Sequence, residues 1–279
     1  NATSQFKAQL KNVRREMGLR LRQRGEKGTS VKALEEKKVE MLGKVYHMLT
    51  LAYGVPPTEF TWSQRDKDGK VVSTDKYTPL SFYNKLWGYD LNNDYVLVMN
   101  DPSREYYKVY QIEYDRHTYD GHDWVYLNLP NEEVKPMLIA SLKDSTAMYI
   151  SCDVNKFLNR QKGVMDLKNF DYESLLGVTM TMDKKERIIT HASASSHAMT
   201  LIAVDIDKAT SKPTKWMVEN SWGKENGFKG NYIMTDEWFN EYMFRFVLNK
   251  KYVPESVAKL LKQKPIKLPA WDPMFAPEE

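Results

Sequence analysis

Two polar residues at the ends of consecutive chain segments have types and spacing suited to proton transfer. His197 opens the apolar segment 197–204, and Asn220 closes the segment 215–220, 23 residues further along the chain. An amide oxygen can accept a hydrogen bond from one imidazole nitrogen, which leaves the other nitrogen free to take up or release a proton. Because an amide adds no second negative charge, the pair is compatible with a neighbouring thiolate. We therefore interpret His197 and Asn220 as candidates for the base and its orienting partner in a Cys–His–Asn mechanism.

Trp222 and Gly223 follow the candidate asparagine closely. Trp222 is placed to shield a His–Asn hydrogen bond from water, and Gly223 would shape the turn behind it. Each residue alone is weak evidence, since a histidine beside an apolar segment is more often a core residue and Asn-Ser-Trp-Gly can be only a turn. The combination on two successive segments favours a catalytic site.

A β-rich last third of the chain must position these residues. Apolar segments bounded by turn residues predict strands at 197–204, 215–220, 232–234 and 242–248, with a helical turn at 236–242. Upstream, the same criteria predict strands at 95–99, 106–114 and 147–153 and a helix at 131–143. Pro136 should lie in the first turn of that helix or distort it.

The start of the chain has a helical pattern instead. Apolar residues recur every three or four positions in residues 4–24 and again in 34–52, which predicts two amphipathic helices. The predicted organisation is a helical hairpin arm at residues 1–57 and a β-rich lobe at 58–279. The lobe should end in a proline-rich tail, residues 264–279, that lies extended against the body.

Several segments together resemble one family of papain-like cysteine peptidases. The segments that carry the likeness are 61–68, 100–102, 149–154, 216–230, 234–242 and 268–274. They are similar to the bleomycin hydrolase / aminopeptidase C family over most of the chain. The resemblance implies an α+β, papain-like cysteine peptidase fold, present mainly as its β-rich C-terminal lobe, with a helical insertion at the N-terminal end.

The resemblance also implies roles and partners. His197 corresponds to the general base and acid of the family, and Asn220 corresponds to the residue that orients it. The family is cytoplasmic, cuts peptide substrates from the amino end, and assembles as a homohexamer whose active sites face an inner chamber. We therefore expect an aminopeptidase without a cofactor or a bound metal.

One part of the family pattern is missing from these residues. The family places its nucleophile in a Gly-x-Cys-Trp segment far upstream of the histidine, and the sequence contains no such segment. The single cysteine, Cys152, lies only 45 residues before His197 and next to Asp153, whose carboxylate would raise the pKa of a thiol. We expect Cys152 to be structural. The chain would then be a C-terminal portion that an upstream portion of the same protein completes, or else an inactive fragment.

The C-terminal end also departs from the family pattern. In the aminopeptidases of the family the tail enters the cleft and meets the amino group of the substrate, whereas residues 275–279 here form a different, acidic ending. Carboxylates in this ending could still bind an ammonium group. A changed tail length could equally open the cleft to internal peptide bonds. We expect an aminopeptidase, with an endopeptidase of the same family as the alternative.

Composition limits the other function classes. With 279 residues, 42% of them hydrophobic and 12% aromatic, the chain can build a folded core. Its apolar stretches are too short to cross a membrane. A single cysteine excludes an intramolecular disulfide and any multi-cysteine metal site. His117 and His122, which lie near three aspartates in a turn-rich stretch, are interpreted as part of a solvated loop rather than as metal ligands.

Positive charge is concentrated near the start of the chain. Residues 7–27 contain eight basic and two acidic side chains, in a chain with a net charge of +4. A basic helix can bind nucleic acid or an acidic partner, but a solvated helix surface is the more frequent case, and no nucleic-acid-binding motif accompanies this one. Nucleic-acid binding and a catalytically inactive assembly role are therefore kept as alternatives to the peptidase.

Overall fold

The computed structural model describes residues 2–275 of the chain. These residues fold as two compact units, the first ending at Tyr89 and the second beginning at Asp90. The first unit contains the expected helical hairpin and continues past it. The division into an arm at 1–57 and a lobe at 58–279 stays a prediction about how the chain is organised.

The first unit begins with two long helices, α1 (Ala2–Glu26) and α2 (Val31–Tyr53). Ser30 begins α2 by accepting a hydrogen bond from the backbone N–H of Ala33. The apolar residues that recur along α1 are all half-buried: Phe6, Leu10, Val13, Met17 and Leu21. No residue of α2 is fully buried. The hairpin therefore keeps much apolar surface exposed.

A small aromatic cluster completes the first unit. Strands β1 (Phe60–Arg65) and β2 (Val71–Tyr77) pair antiparallel, and α3 (Pro79–Leu86) follows them. The ring of Phe82 on α3 contacts four aromatic rings edge-on, those of Phe60, Trp62, Tyr77 and Trp87. These contacts hold the helix against the hairpin.

The second unit is built on one sheet of eleven described strands. In chain order they are β3 (Tyr95–Met99), β4 (Lys108–Ile112), β5 (Trp124–Asn128), β6 (Met148–Cys152), β7 (Leu158–Asn159), β8 (Val164–Met165), β9 (His197–Ile206), β10 (Pro213–Glu219), β11 (Asn231–Thr235), β12 (Met243–Asn249) and β13 (Ile266–Leu268). Their order across the sheet is β13-β4-β5-β3-β12-β6-β9-β10-β11-β8-β7. The strands β12, β6, β9, β10 and β11 are consecutive neighbours and pair antiparallel.

The described part of the second unit also contains five helices: α4 (Asn131–Lys143), α5 (Tyr172–Leu176), α6 (Lys184–Ile189), α7 (Asp236–Tyr242) and α8 (Glu255–Leu260). Of these, α4 and α7 pack against strands of the sheet. Pro136 lies inside α4, beyond its first turn, and the helix continues to Lys143. Pro136 therefore does not lie in the first turn, and the alternative, that it distorts the helix, stays a prediction. The helix is held through the proline because Val134, Met137 and Leu138 are buried on one side of it.

The C-terminal tail lies against the body as far as the structure describes it. Strand β13 adds to the edge of the sheet beside β4. Beyond it, Asp272 and Met274 are buried, and Asp272 pairs with Arg104. The described part of the tail is extended only in β13, and residues 270–275 mostly form turns. The tail as a separate segment, 264–279, stays a prediction, and residues 276–279 lie outside the described residues.

Candidate active site

The two candidate residues lie at the same edge of the sheet because β9 and β10 are antiparallel. His197 is the first residue of β9, and Glu219 is the last residue of β10. Glu219 pairs with Thr200, so the chain leaving β10 runs back alongside the start of β9. Asn220 is therefore delivered next to the imidazole by strand pairing rather than by closeness in sequence.

The histidine and the asparagine are hydrogen-bonded. Nε2 of His197 lies 2.9 Å from Oδ1 of Asn220, and the backbone N–H of Ser221 donates to the same oxygen at 2.8 Å. Because the backbone N–H is a donor, the amide atom that faces it must be the oxygen, and an oxygen can only accept. Nε2 therefore carries a hydrogen. Nδ1 is left for proton exchange, and it has no hydrogen-bond partner among residues 2–275.

Trp222 covers this pair. Its ring centroid lies 4.9 Å from that of His197, and the ring also makes an edge-on contact with the buried ring of Tyr232 at 5.6 Å. Trp222 itself is half-buried. An indole in this position excludes water from one side of the His–Asn bond, which strengthens the bond and restricts the imidazole ring. The shielding role expected for Trp222 thus has a geometric basis.

A chain of serine hydroxyls holds the start of β9. The Ser151 hydroxyl donates to the backbone carbonyl of His197 at 3.0 Å, and its oxygen lies 2.6 Å from the hydroxyl oxygen of Ser195. Beside it, Ser193 donates to the buried carboxylate of Asp153 at 2.8 Å. These serines have no motif in the sequence that marks them as functional. Their only signal is the serine-rich stretch just before His197.

Cys152 is next to the site but is not part of its reactive surface. It is the Cα partner of His197 across β6 and β9, and it is fully buried in the apolar core. Burial, with a smaller effect from the neighbouring Asp153 carboxylate, raises the pKa of its thiol far above the ordinary value. No side-chain hydrogen bond joins the thiol to His197 within the described part of the chain. A thiol in this state is not an activated nucleophile.

A shallow depression of ≈ 390 Å³ adjoins the pair. Tyr149 of β6, Ala198 and Thr200 of β9, and Glu219 and Asn220 line it. Most of the lining is exposed, but Asn220 is half-buried and Met199, which also lines the depression, is buried. The site is therefore an open groove against which an extended peptide could lie.

The other candidates are not assembled into sites. His117 and His122 are exposed in the loop before β5, in agreement with a solvated loop. Among residues 2–275, no three histidine, cysteine, aspartate or glutamate side chains are grouped so as to hold a metal ion. The helices in that part of the chain are all too short or too polar to cross a membrane.

A β-rich lobe with a hydrogen-bonded His–Asn pair at adjacent strand ends, covered by a tryptophan, defines a papain-like peptidase lobe. The model of the peptidase C1-like family matches residues 1–275, and the chain belongs to that family. Human bleomycin hydrolase is 38% identical over 280 residues, which cover 99% of this chain and 62% of that protein. Aminopeptidase C of Lactobacillus delbrueckii subsp. lactis is 37% identical over 96% of this chain and 60% of its own length.

A solved structure agrees with the sequence relatives. The crystal structure of PepW from Lactobacillus rhamnosis superposes with a TM-score of 0.91 at 32% identity, covering 98% of this chain and 62% of that one. The papain-like fold and the likeness to bleomycin hydrolase and aminopeptidase C are thereby confirmed. The chain spans less than two thirds of the length of these relatives.

Proposed function

We propose that this chain carries the proton-transfer half of a cysteine aminopeptidase, in which His197 is the general base and acid and Asn220 orients it. The observation that carries the proposal is the 2.9 Å bond between Nε2 of His197 and Oδ1 of Asn220. That bond directs Nδ1 to the reacting groups. The names of the relatives, bleomycin hydrolase and aminopeptidase C, support the same reaction class.

The reaction follows from these roles. A thiolate adds to the carbonyl carbon of the substrate, and the imidazolium of His197 donates its Nδ1 proton to the leaving nitrogen as the C–N bond breaks. Water then attacks the thioester while Nδ1 takes a proton from it. The C–S bond breaks, the acid product leaves, and the thiolate forms again. Asn220 keeps the ring in place through both steps.

We propose that the thiol belongs to residues outside these 279. Cys152, the only cysteine in the sequence, is buried with a raised thiol pKa. A second observation supports an incomplete site. Nδ2 of Asn220 is buried and has no acceptor among the described residues. Buried amide donors nearly always have a partner, so we expect an acceptor from the same upstream portion.

The tail supports the choice of an aminopeptidase over an endopeptidase. The guanidinium carbon of Arg245 lies 4.4 Å from the ring centroid of Phe275, and Arg245 also donates to the backbone carbonyl of Met274 at 3.0 Å. Arg245 is on β12, two strands from β9 in the sheet order, a separation of about 10 Å. We propose that a carboxylate of the acidic ending, Glu278 or Glu279, binds the substrate ammonium.

The experiment compares peptides with free and acetylated amino ends on the full-length gene product. An aminopeptidase releases the first residue of the free peptide at least about a hundredfold faster than it cuts the acetylated peptide, because the ammonium is a binding group. The double variant Glu278→Gln/Glu279→Gln should lower the ratio of the cleavage rates of the free and the acetylated peptide. Equal cleavage of both peptides by the wild-type protein would establish the endopeptidase instead, and no cleavage would favour the inactive assembly role.

We also propose that the assembled protein is a cytoplasmic homohexamer. Large apolar side chains are exposed along the hairpin, among them Val39 at 65% and Leu51 at 75%, and a second subunit could cover them. A reducing compartment would keep the thiol nucleophile reduced. Light scattering on the full-length protein tests the assembly, and Val39→Asp or Leu51→Asp should dissociate it.

A further inference from the structure

The indole of Trp222 has a charged neighbour besides His197. Arg160 lies in the turn between β7 and β8, and its guanidinium carbon is 4.2 Å from the centroid of the Trp222 ring. His197 lies 4.9 Å from the same ring. A permanent positive charge is thus placed one aromatic ring away from the proposed catalytic base.

This placement is fixed by the backbone. The turn with Arg160 ends at Gly163, and the loop with Trp222 contains Gly227; both glycines have a positive φ, 67° and 58°. A Cβ on Gly163 would lie 2.5 Å from the Cα of Gly227, which is closer than any side chain allows. Only glycines permit the two loops to approach this closely. Arg160 is therefore presented to Trp222 by a tightly packed pair of loops.

The charge on Arg160 is not neutralised within the described part of the chain. Arg160 is exposed and has no ion pair there. The acidic residue of the loop that contains Trp222, Glu225, instead accepts a hydrogen bond from the side chain of Asn226 at 3.4 Å. The two loops, 159–163 and 221–230, contain four basic side chains and one acidic side chain. The local field attracts an anion.

The stacking leaves the hydrogen-bonding groups of Arg160 available. A guanidinium that lies over an indole uses its face for the cation–π contact, while its N–H groups point outward in the plane of the group. Those N–H groups match the two oxygens of a carboxylate in a bidentate arrangement. The stacked geometry also fixes the long side chain in advance, which lowers the entropic cost of binding.

The position of the proton transfer determines which part of the substrate lies near Arg160. The imidazole must be next to the leaving nitrogen in order to protonate it, so the leaving-group residue passes over His197 and Trp222. We propose that Arg160 is a specificity-determining residue that binds a carboxylate on the leaving-group residue of the substrate. The carboxylate is an acidic side chain or the free C-terminus of a short peptide. This inference rests on the proposed peptidase function.

The test uses the full-length gene product and three dipeptide substrates that share the same first residue. The second residue is Gln amide, which is neutral, Glu amide, which has an acidic side chain, or Gln with a free carboxylate. We expect wild-type kcat/KM to be about tenfold higher for at least one of the carboxylate substrates than for the neutral one. Arg160→Gln abolishes that preference and changes the neutral substrate by less than about twofold. Lys162→Gln, an exposed base in the same turn, is the matched control and keeps the preference.

Each other outcome has a definite meaning. A similar loss on all three substrates in Arg160→Gln would show that Arg160 only supports Trp222, and would overturn the inference. The absence of any preference in the wild type would overturn it as well. The carboxylate substrate that responds identifies the source of the anion. If the wild-type protein cleaves none of the three, the proposed function itself fails, which is distinct from cleavage without discrimination.

Discussion

Cys152 and His197 are direct Cα partners on adjacent strands β6 and β9, yet the thiol is fully buried in the apolar core. Burial favours its neutral form, and the adjacent Asp153 carboxylate adds to this effect. The closeness of the two residues in the sheet therefore reflects strand pairing and not a catalytic pair.

The first prediction concerns this cysteine. Cys152→Ala in the full-length protein should keep kcat/KM within about twofold of wild type, because the thiol touches no reacting group. It should lower the free energy of unfolding by about 1 kcal/mol, since a small cavity replaces the sulfur. Peptide hydrolysis and urea unfolding measure the two effects. Inactivity in a variant that still folds would make Cys152 the nucleophile.

The second prediction separates the roles of the hydrogen-bonded pair. His197→Ala should lower kcat at least about a thousandfold, because no other group can transfer the proton. Asn220→Ala should lower it less, by about 10- to 100-fold, because the imidazole is still present but no longer held. Steady-state kinetics at saturating peptide measure both. Equal effects, or no effect in either variant, would contradict these roles.

The third prediction concerns the tryptophan cover. Trp222→Ala should lower kcat about tenfold, because water then competes for the His–Asn bond. Trp222→Phe should keep most of the activity, since a smaller ring still excludes water from that side. The comparison of the two variants is the control for a general loss of folding. If Trp222→Phe is as damaging as Trp222→Ala, shielding is not the role of the indole.

The fourth prediction is a pH dependence of stability that arises from Lys184. This residue begins α6, is buried, and donates to the Asn100 side chain and to the Met243 carbonyl, both at 2.6 Å. Burial lowers its pKa from 10.5 to about 7, although the carboxylates of Glu241 and Asp101 act in the opposite direction.

Between pH 7 and about 10, the unfolded chain therefore binds more protons at this lysine than the folded chain does. The free energy of unfolding of the wild type should rise with pH over this window relative to Lys184→Met, by an amount on the order of a few kcal/mol. Urea unfolding of both proteins at several pH values measures the difference. A difference that stays constant or falls with pH would show that Lys184 remains charged in the folded protein.

Much of the sheet could be predicted because apolar segments bounded by turn residues are a local signal. The strands at 95–99 and 197–204 follow this pattern, and the structure has β3 at Tyr95–Met99 and β9 at His197–Ile206. The predicted strand at 106–114 is shorter in the structure because Tyr107 and Tyr114 have φ near 63° and 64° and interrupt it at both ends. Residue type does not reveal such left-handed tyrosines.

The elements that were missed depend on tertiary contacts. Strand β5 (Trp124–Asn128) was not predicted because a turn-rich stretch precedes it, and its place is set by pairing with β3 and β4. Strands β7 and β8 have two residues each and no periodicity to detect.

The two contacts of the candidate site, His197 with Asn220 and Arg160 with Trp222, also differ in how far the sequence reveals them. The residue types and the 23-residue spacing of His197 and Asn220 are visible in the sequence, together with a family resemblance, whereas their contact required the pairing of β9 with β10. The stacking of Arg160 on Trp222 joins residues that are 62 positions apart, and only the packing of two loops reveals it.

The position of the reactive thiol decides whether His197 serves a cysteine from outside these residues. The full-length gene product is treated with a peptidyl epoxide that alkylates activated cysteines, and the labelled residue is found by mass spectrometry. We expect labelling of a cysteine outside these 279 residues, with no labelling in His197→Ala and unchanged labelling in Cys152→Ala. Labelling on Cys152, or labelling that does not depend on His197, would contradict this expectation.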